Sequence, residues 1–401
     1  MSLVILNAGL NYHIRGGSDR YQFFLSELLQ QNGHRIIPFA TTSSKNYVTE
    51  WSEYFPQGIN CEDPTLAHLI RFIYSKPAAD TMKRLLKDVP INIAHLHIYY
   101  GQLTASILLP LQQAGVPIVQ TLHEYKIVCP VYTLVSNGEI CQACKGHAFW
   151  HATQKRCNRG SIVRSLLSTV ESYVSQALGS VSKIDHFITV SHFQREKVIE
   201  LGIPAEKVTT IHNFIDTSDI KQNSKAGEYF LYFGRLARLK GLLTLIEAAS
   251  SLKEIPLLIA GDGELRLELE QLIEQNNLKH IHLLGFKQGD ELNQLIRNSI
   301  CTLAPSEWYE TFGLTLIESF AQSRPVIASN IGGMSEIVSD AIDGFLVPPK
   351  HLDVLREKML WMAEHRNEAV EMGQAGRRKV EDQFNPEVHY ENLIKVYRKV
   401  L

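Results

Sequence analysis

Two glutamates eight residues apart carry the strongest chemical signal in this chain. They lie in Pro305-Ser306-Glu307-Trp308-Tyr309-Glu310-Thr311-Phe312-Gly313-Leu314-Thr315-Leu316-Ile317-Glu318. Glu310 falls in a loop leaving a strand-like run, and Glu318 falls inside the helix that follows. One carboxylate can accept hydroxyls from a sugar ring while the other takes a ribose diol. Between them Gly313 permits close backbone approach, and the first-turn N–H groups of the helix face the loop. The plainer alternative is an acidic residue complementing the helix dipole plus one solvated glutamate.

Two cations stand at a second strand end. Phe233-Gly234-Arg235 closes an apolar run and Lys240-Gly241 opens the next helix. Arg as a planar fork and Lys as a point charge suit a diphosphate leaving group, and ligands gather at the carboxyl ends of parallel strands. Surface solvation is the alternative for either cation alone. Near the start, Gly16-Gly17-Ser18-Asp19-Arg20 joins a strand to a helix. A glycine pair there can aim N–H groups at an anion, and it serves a plain tight turn equally well.

The elements that must position these residues repeat along the chain. LVILNA (3–8), HRIIPFA (34–40), NIAHLH (92–97), PIVQTLH (117–123) and HFITVS (186–191) are short buried-strand patterns alternating with helical ones such as 19–33. That alternation predicts βαβ units and a parallel sheet with helices on both faces. The polar stretch 216–228 is the linker candidate. A second series then begins with EYFLYFG (228–234), PLLIAG (256–261), HIHLLGF (280–286), SICTLAP (299–305), PVIAS (325–329) and GFLVP (344–348). The pattern predicts an α/β chain of two doubly wound domains, 1–216 and 217–385, and a terminal helix over 386–401 of unassigned domain.

Composition removes several classes. The chain has 401 residues, 45% hydrophobic and 20% charged, an ordinary globular balance that excludes bulk disorder. No apolar run reaches the roughly 18 residues of a spanning helix. The first residues read as a strand rather than a leader, which predicts a cytoplasmic protein. Net charge is −2, so nucleic acid is not an expected partner.

At this point the chain resembles a known family. Glu310 and Glu318, inside PSEWYETFGLTLIESFAQSRPVIASNIGGMSEIV, look like the E-x7-E signature of retaining family 4 glycosyltransferases. GRLARLKG (234–241), IAGDGEL (259–265), LLGF (283–286) and IVSDAIDGFLVPP (337–349) fall in the family's order, as do GGSDR (16–20), TLHEY (121–125), ITVSHF (188–193) and HNFID (212–216). The resemblance implies a GT-B fold, two Rossmann-like domains facing a cleft. It implies transfer of a sugar from a nucleotide sugar, UDP-sugar first and GDP-sugar next, to a polysaccharide or lipid-linked glycan.

Roles follow by resemblance. Arg235 and Lys240 hold the diphosphate, Glu310 the transferred sugar, and Glu318 the ribose, with backbone amides of Phe312, Gly313 and Leu314 nearby. Gly16 and Gly17 meet the donor from the first domain, and His123 contacts the sugar there, unless it is simply a satisfied histidine at a strand end. Gly261 and Gly263 shape the nucleotide pocket, with Phe286 near the base. No D-x-D motif precedes the site, so no catalytic metal is expected. Two competing readings are a GT-B scaffold without turnover and a nucleotide-sugar epimerase.

The segment 129–157 departs from the minimal family pattern. Cys129, Cys141, Cys144 and Cys157 stand in a polar stretch, and a C-x2-C with two outlying cysteines suits a structural zinc ion. His147 and His151 lie close enough to compete as ligands, and four unlinked thiols are the alternative. A basic-flanked amphipathic helix over 159–178 can rest at the inner face of an anionic membrane, although packing against a core is the commoner fate of such a helix. Acceptor specificity is expected in loops 41–75 and 126–160. Sugar, linkage and oligomeric state have no sequence signal.

Overall fold

The computed structural model describes residues 2–59, 65–222 and 225–401. Parts of the expected acceptor loop 41–75 and of the linker 216–228 therefore lie outside the described residues. The chain divides into two units, 1–211 with 390–401, and 212–389. The division falls a few residues before the expected 216/217 boundary. Residues 212–216 already bond within the second unit: Ile215 N donates to Phe384 O, and the Phe214 ring packs on His389.

The first unit is built on six parallel strands. These are β1 Val4–Ala8, β2 Arg35–Phe39, β3 Ile93–Leu96, β4 Ile118–Leu122, β7 His186–Thr189 and β8 Val208–Thr210, in the order β2-β1-β3-β4-β7-β8. The missing numbers are a two-stranded hairpin, β5 Val135–Ser136 with β6 Glu139–Ile140, inside the cysteine segment. Asn137 and Gly138 both have positive φ, the two-residue turn that matches strand twist. Every residue of β3, β4 and β7 is buried, as a parallel sheet covered on both faces requires.

The second unit repeats the plan with β9 Tyr229–Phe233, β10 Leu257–Ala260, β11 Ile281–Gly285, β12 Ser299–Ala304, β13 Val326–Ser329 and β14 Gly344–Val347. Their order is β11-β10-β9-β12-β13-β14. Counted from its own first strand this is the 3-2-1-4-5-6 order of a Rossmann sheet, which reverses between β9 and β12. The helices Leu242–Ala249 and Leu352–Glu364 cover one face through Leu245, Ile246, Leu355 and Met359, all buried in one apolar cluster.

The terminal helix Pro386–Val400 crosses the division at His389/Tyr390. In the first unit Tyr397 is fully buried and its hydroxyl bonds His95 Nδ1 at 2.7 Å.

Candidate functional site

The reversal point of the second sheet gathers the predicted donor residues. Loops leaving β9 and β12 run side by side there because Gly241 tolerates what no other residue would. Its φ is +69°, and a Cβ would sit 1.9 Å from Pro305 O. Glu307 N donates to Leu239 O at 2.8 Å, and Thr244 Oγ1 donates to Glu307 Oε1 at 2.7 Å, so both loops are stitched together.

Lys240 and Glu310 meet as a result. The Lys240 ammonium donates to Glu310 Oε1, which also accepts from Ser306 Oγ and Trp308 Nε1, each at 2.7 Å. Burial alone would push this carboxyl up. The Lys240 charge and the three donors outweigh it and hold the group below the ordinary carboxylate range. Lys240 also sits 5.8 Å from the Trp308 ring centre. Arg235, at the same sheet edge, is exposed and makes no ion pair among the described residues. Ser306 and Trp308 lie inside the glutamate motif, yet spacing alone did not reveal that both converge on one oxygen.

The other predicted residues of this unit fall along the same sheet edge. Gly261 follows β10, where a Cβ would sit 1.9 Å from Gly234 O, and Gly263 packs against Leu236 O. Phe286 follows β11 and is 61% exposed, an aromatic face with no core to fill. Gly313 precedes the helix Leu314–Ala321, which no side chain caps, and Glu318 is half-buried on that helix. The side chain of Phe312 is core, packed on His212 and Phe384, so only its backbone is available to a ligand.

The first unit places its predicted residues at the ends of β1 and β4. Gly16 caps the helix Gly17–Gln31 in open space. The N–H groups of Arg15 and Gly16 already donate to Asp19 Oδ2, at 3.1 and 3.0 Å, so the helix brings its own anion. A ligand at this turn meets the amides beyond those two.

His123 stands in a line of polar groups that the sequence did not predict. Asn7 Nδ2 donates to Gln22 O, a carbonyl that can only accept, so the Asn7 amide is oriented with Oδ1 toward His97 Nε2 at 2.7 Å. His97 Nε2 therefore carries the proton. Burial lowers His97 well below its ordinary value and His123 to about 3, so both rings are neutral at pH 7. His97 Nδ1 must then accept, and the 3.0 Å contact makes His123 Nε2 the donor. His123 thus presents Nδ1 as its lone-pair nitrogen.

The four cysteines share one neighbourhood. Burial first, and then the nearness of Cys129, Cys157 and Cys141, oppose ionisation of the Cys144 thiol, which packs with Phe149, Ala152 and Cys157. Among the described residues no three of these sulfurs lie within 4.8 Å of one another, whereas a tetrahedral zinc–thiolate site needs about 3.8 Å. Side-chain rotation in this loop would have to draw them in.

Two family models match the chain: Glycosyltransferase Family 4 over residues 15–219 and Glycosyl transferases group 1 over 214–379. An uncharacterized glycosyltransferase of Methanocaldococcus jannaschii is 30% identical over 54% of this chain and 59% of its own length. The amylovoran biosynthesis glycosyltransferase of Erwinia amylovora is 26% identical over 53% and 56%. The chain thus spans little more than half the length of these relatives. Among solved structures, sucrose-phosphate synthase of Thermosynechococcus elongatus superposes with a TM-score of 0.74 at 20% identity, over 100% of this chain and 99% of that one. Anabaena HepE, solved with UDP-glucose, gives 0.70 at 16% identity over 99% and 100%. These likenesses agree with the GT-B plan of two Rossmann-like domains.

Proposed function

The chain belongs to glycosyltransferase family 4, and from that premise we propose that it transfers a sugar from a nucleoside diphosphate sugar to a glycan or lipid-linked acceptor, with retention at the anomeric carbon. The observation that carries the reading is the cation and carboxylate group at the reversal of the second sheet. Lys240 has three N–H bonds, so it can hold Glu310 and a phosphate oxygen together, and exposed Arg235 can fork onto the same diphosphate. Amides at the start of the helix Leu314–Ala321 add positive potential. These charges stabilise the diphosphate as the bond from C1 to its oxygen breaks. The acceptor oxygen forms the new bond to C1 on the same face, and its proton passes to the departing diphosphate oxygen.

In this mechanism Glu310 accepts hydroxyls of the transferred sugar, Glu318 takes the ribose, and Gly261 and Gly263 leave room for the nucleotide. Phe286 lies beside the base, and His123 contacts the sugar, as the resemblance implies. UDP is the favoured nucleotide because Anabaena HepE, of like fold, was solved with UDP-glucose. The chain's own cations do the work often given to a divalent ion, so transfer proceeds in chelator. Titration with nucleotide sugars in chelator is the direct test, and its outcomes are given at the end of the Discussion.

We also propose that Cys129, Cys141, Cys144 and Cys157 hold a zinc ion that orders their loop and takes no part in transfer. The packing of Cys157 beside Cys144, with Cys129 and Cys141 in the same neighbourhood, supports this. Protein produced with zinc in the growth medium should carry about one zinc per chain by elemental analysis. Cys141→Ser with Cys144→Ser should abolish that content and lower the melting temperature. Zinc far below one equivalent, with unchanged melting of the double variant, would refute the site.

A further inference from the structure

The helix Ile162–Ala177 is folded inside out. Its buried residues are Ser165, Ser168, Thr169, Glu171, Ser172 and Ser175, with Glu171 paired to buried Lys126, while Ile162, Val163, Leu166, Val170 and Tyr173 face solvent. Ile162 is 54% exposed, Val163 73% and Leu166 51%, and Val170 and Tyr173 continue the same stripe at helical spacing. The expected core-packed helix is thus present with its faces reversed. Small hydroxyl side chains let the helix lie close to its support. Ser165 and Ser168 bond back to carbonyls of their own helix, and Asn158 donates to both serines.

A second helix extends the patch. Leu66–Ile73 has no buried residue, packs beside Ile162–Ala177, and exposes Leu66 and Ile70. A contiguous apolar surface of this kind marks an interaction site.

Charge identifies the partner. From Cys141 to Val170 the chain has five Lys and Arg and no Asp or Glu. Lys155, Arg156, Arg159 and Arg164 are exposed around the helix start. A second copy of this chain on the patch would bring like charges face to face, whereas an anionic lipid surface complements them.

We propose that the surface formed by Ile162, Leu166, Val170, Tyr173, Leu66 and Ile70, with its arginine rim, docks on an anionic bilayer. The apolar stripe enters the headgroup boundary and the arginines meet lipid phosphates, as for an interfacial amphipathic helix. Among the described residues no helix is long and apolar enough to cross a membrane, so contact of this kind would be peripheral.

The test is co-sedimentation of the full chain with vesicles of phosphatidylcholine alone or mixed with phosphatidylglycerol. Wild type should pellet with the mixed vesicles and be released by high salt. Ile162→Ser, Leu166→Ser and Val170→Ser combined should lower the partition coefficient roughly tenfold or more. Ile162 and Leu166 are more than half exposed and Val170 37%, so melting should change little. Arg156→Gln, Arg159→Gln and Arg164→Gln combined should weaken binding to mixed vesicles selectively. Failure of wild type to bind mixed vesicles, or equal binding by the triple-serine variant, would overturn the proposal. So would a solution dimer of wild type that the serine variant makes monomeric.

Discussion

Glu310→Gln lowers release of the nucleoside diphosphate from its donor on the order of a hundredfold, the scale on which a preorganised polar group aimed at the transition state contributes. The fold survives because the amide oxygen still accepts from Ser306 and Trp308, which reach the carboxylate at 2.7 Å. Only the negative charge facing the Lys240 ammonium is lost, and that side chain, 25% exposed, can also turn to water. The stability cost is about 1–2 kcal/mol, less than for a pair sealed from solvent.

This cost has a defined pH dependence. The Glu310 carboxyl is held below its ordinary value, so its stabilisation is complete above pH 4.5 and is lost as pH falls through the depressed value. The melting difference between wild type and Glu310→Gln should therefore be constant from neutral pH down to about pH 4.5 and shrink between there and the depressed value. Sugar released or transferred by wild type should keep its anomeric configuration, read by the C1 proton coupling. Wild-type turnover in Glu310→Gln would remove this carboxylate from the mechanism, and an inverted product would remove retention.

Gly241→Ala should be strongly destabilising to the second unit. The new carbon would land 1.9 Å from the Pro305 carbonyl oxygen, at a φ of +69° that costs an L-residue about 1–2 kcal/mol before any clash. Overpacking against fixed backbone adds about 1–3 kcal/mol. Together these should lower the unfolding transition of the second unit by roughly 10 °C. Gly16→Ala is the control, because nothing lies within 4 Å of its added carbon and its φ is an extended −159°. Equal melting of the two variants would show that the loops after β9 and β12 are not locked together as described.

Much of this arrangement was legible in the sequence. The strand patterns 228–234, 256–261, 280–286, 299–305, 325–329 and 344–348 correspond to β9 through β14, because strands buried on both faces read as continuous apolar runs. Glu310 in a loop and Glu318 on the next helix followed from the same pattern. The pairing of Lys240 with Glu310 did not, since the two are 70 residues apart and meet only through strand order.

Other features stayed hidden for local reasons. The capture of the Arg15 and Gly16 amides by Asp19 is a capping event that a glycine pair does not announce. The Asn7–His97–His123 line joins three strand ends distant in sequence. The hairpin at Asn137-Gly138 carries an Asn-Gly turn signal, but its strands, Val135–Ser136 and Glu139–Ile140, are too short to show an alternating pattern. The reversed faces of Ile162–Ala177 show the limit of periodicity: it locates an apolar stripe but does not say which way the stripe points.

The central claim is that the second unit binds a nucleoside diphosphate sugar through Lys240 and Arg235 without a metal. The most direct test is calorimetric titration of UDP-, GDP-, ADP- and CDP-sugars into the full chain in EDTA, repeated with Lys240→Ala. The account predicts saturable binding of one donor, UDP-linked first, undiminished by chelator and weakened at least about tenfold in the variant. Binding by no donor, binding that requires added divalent ion, or equal binding by Lys240→Ala would contradict it.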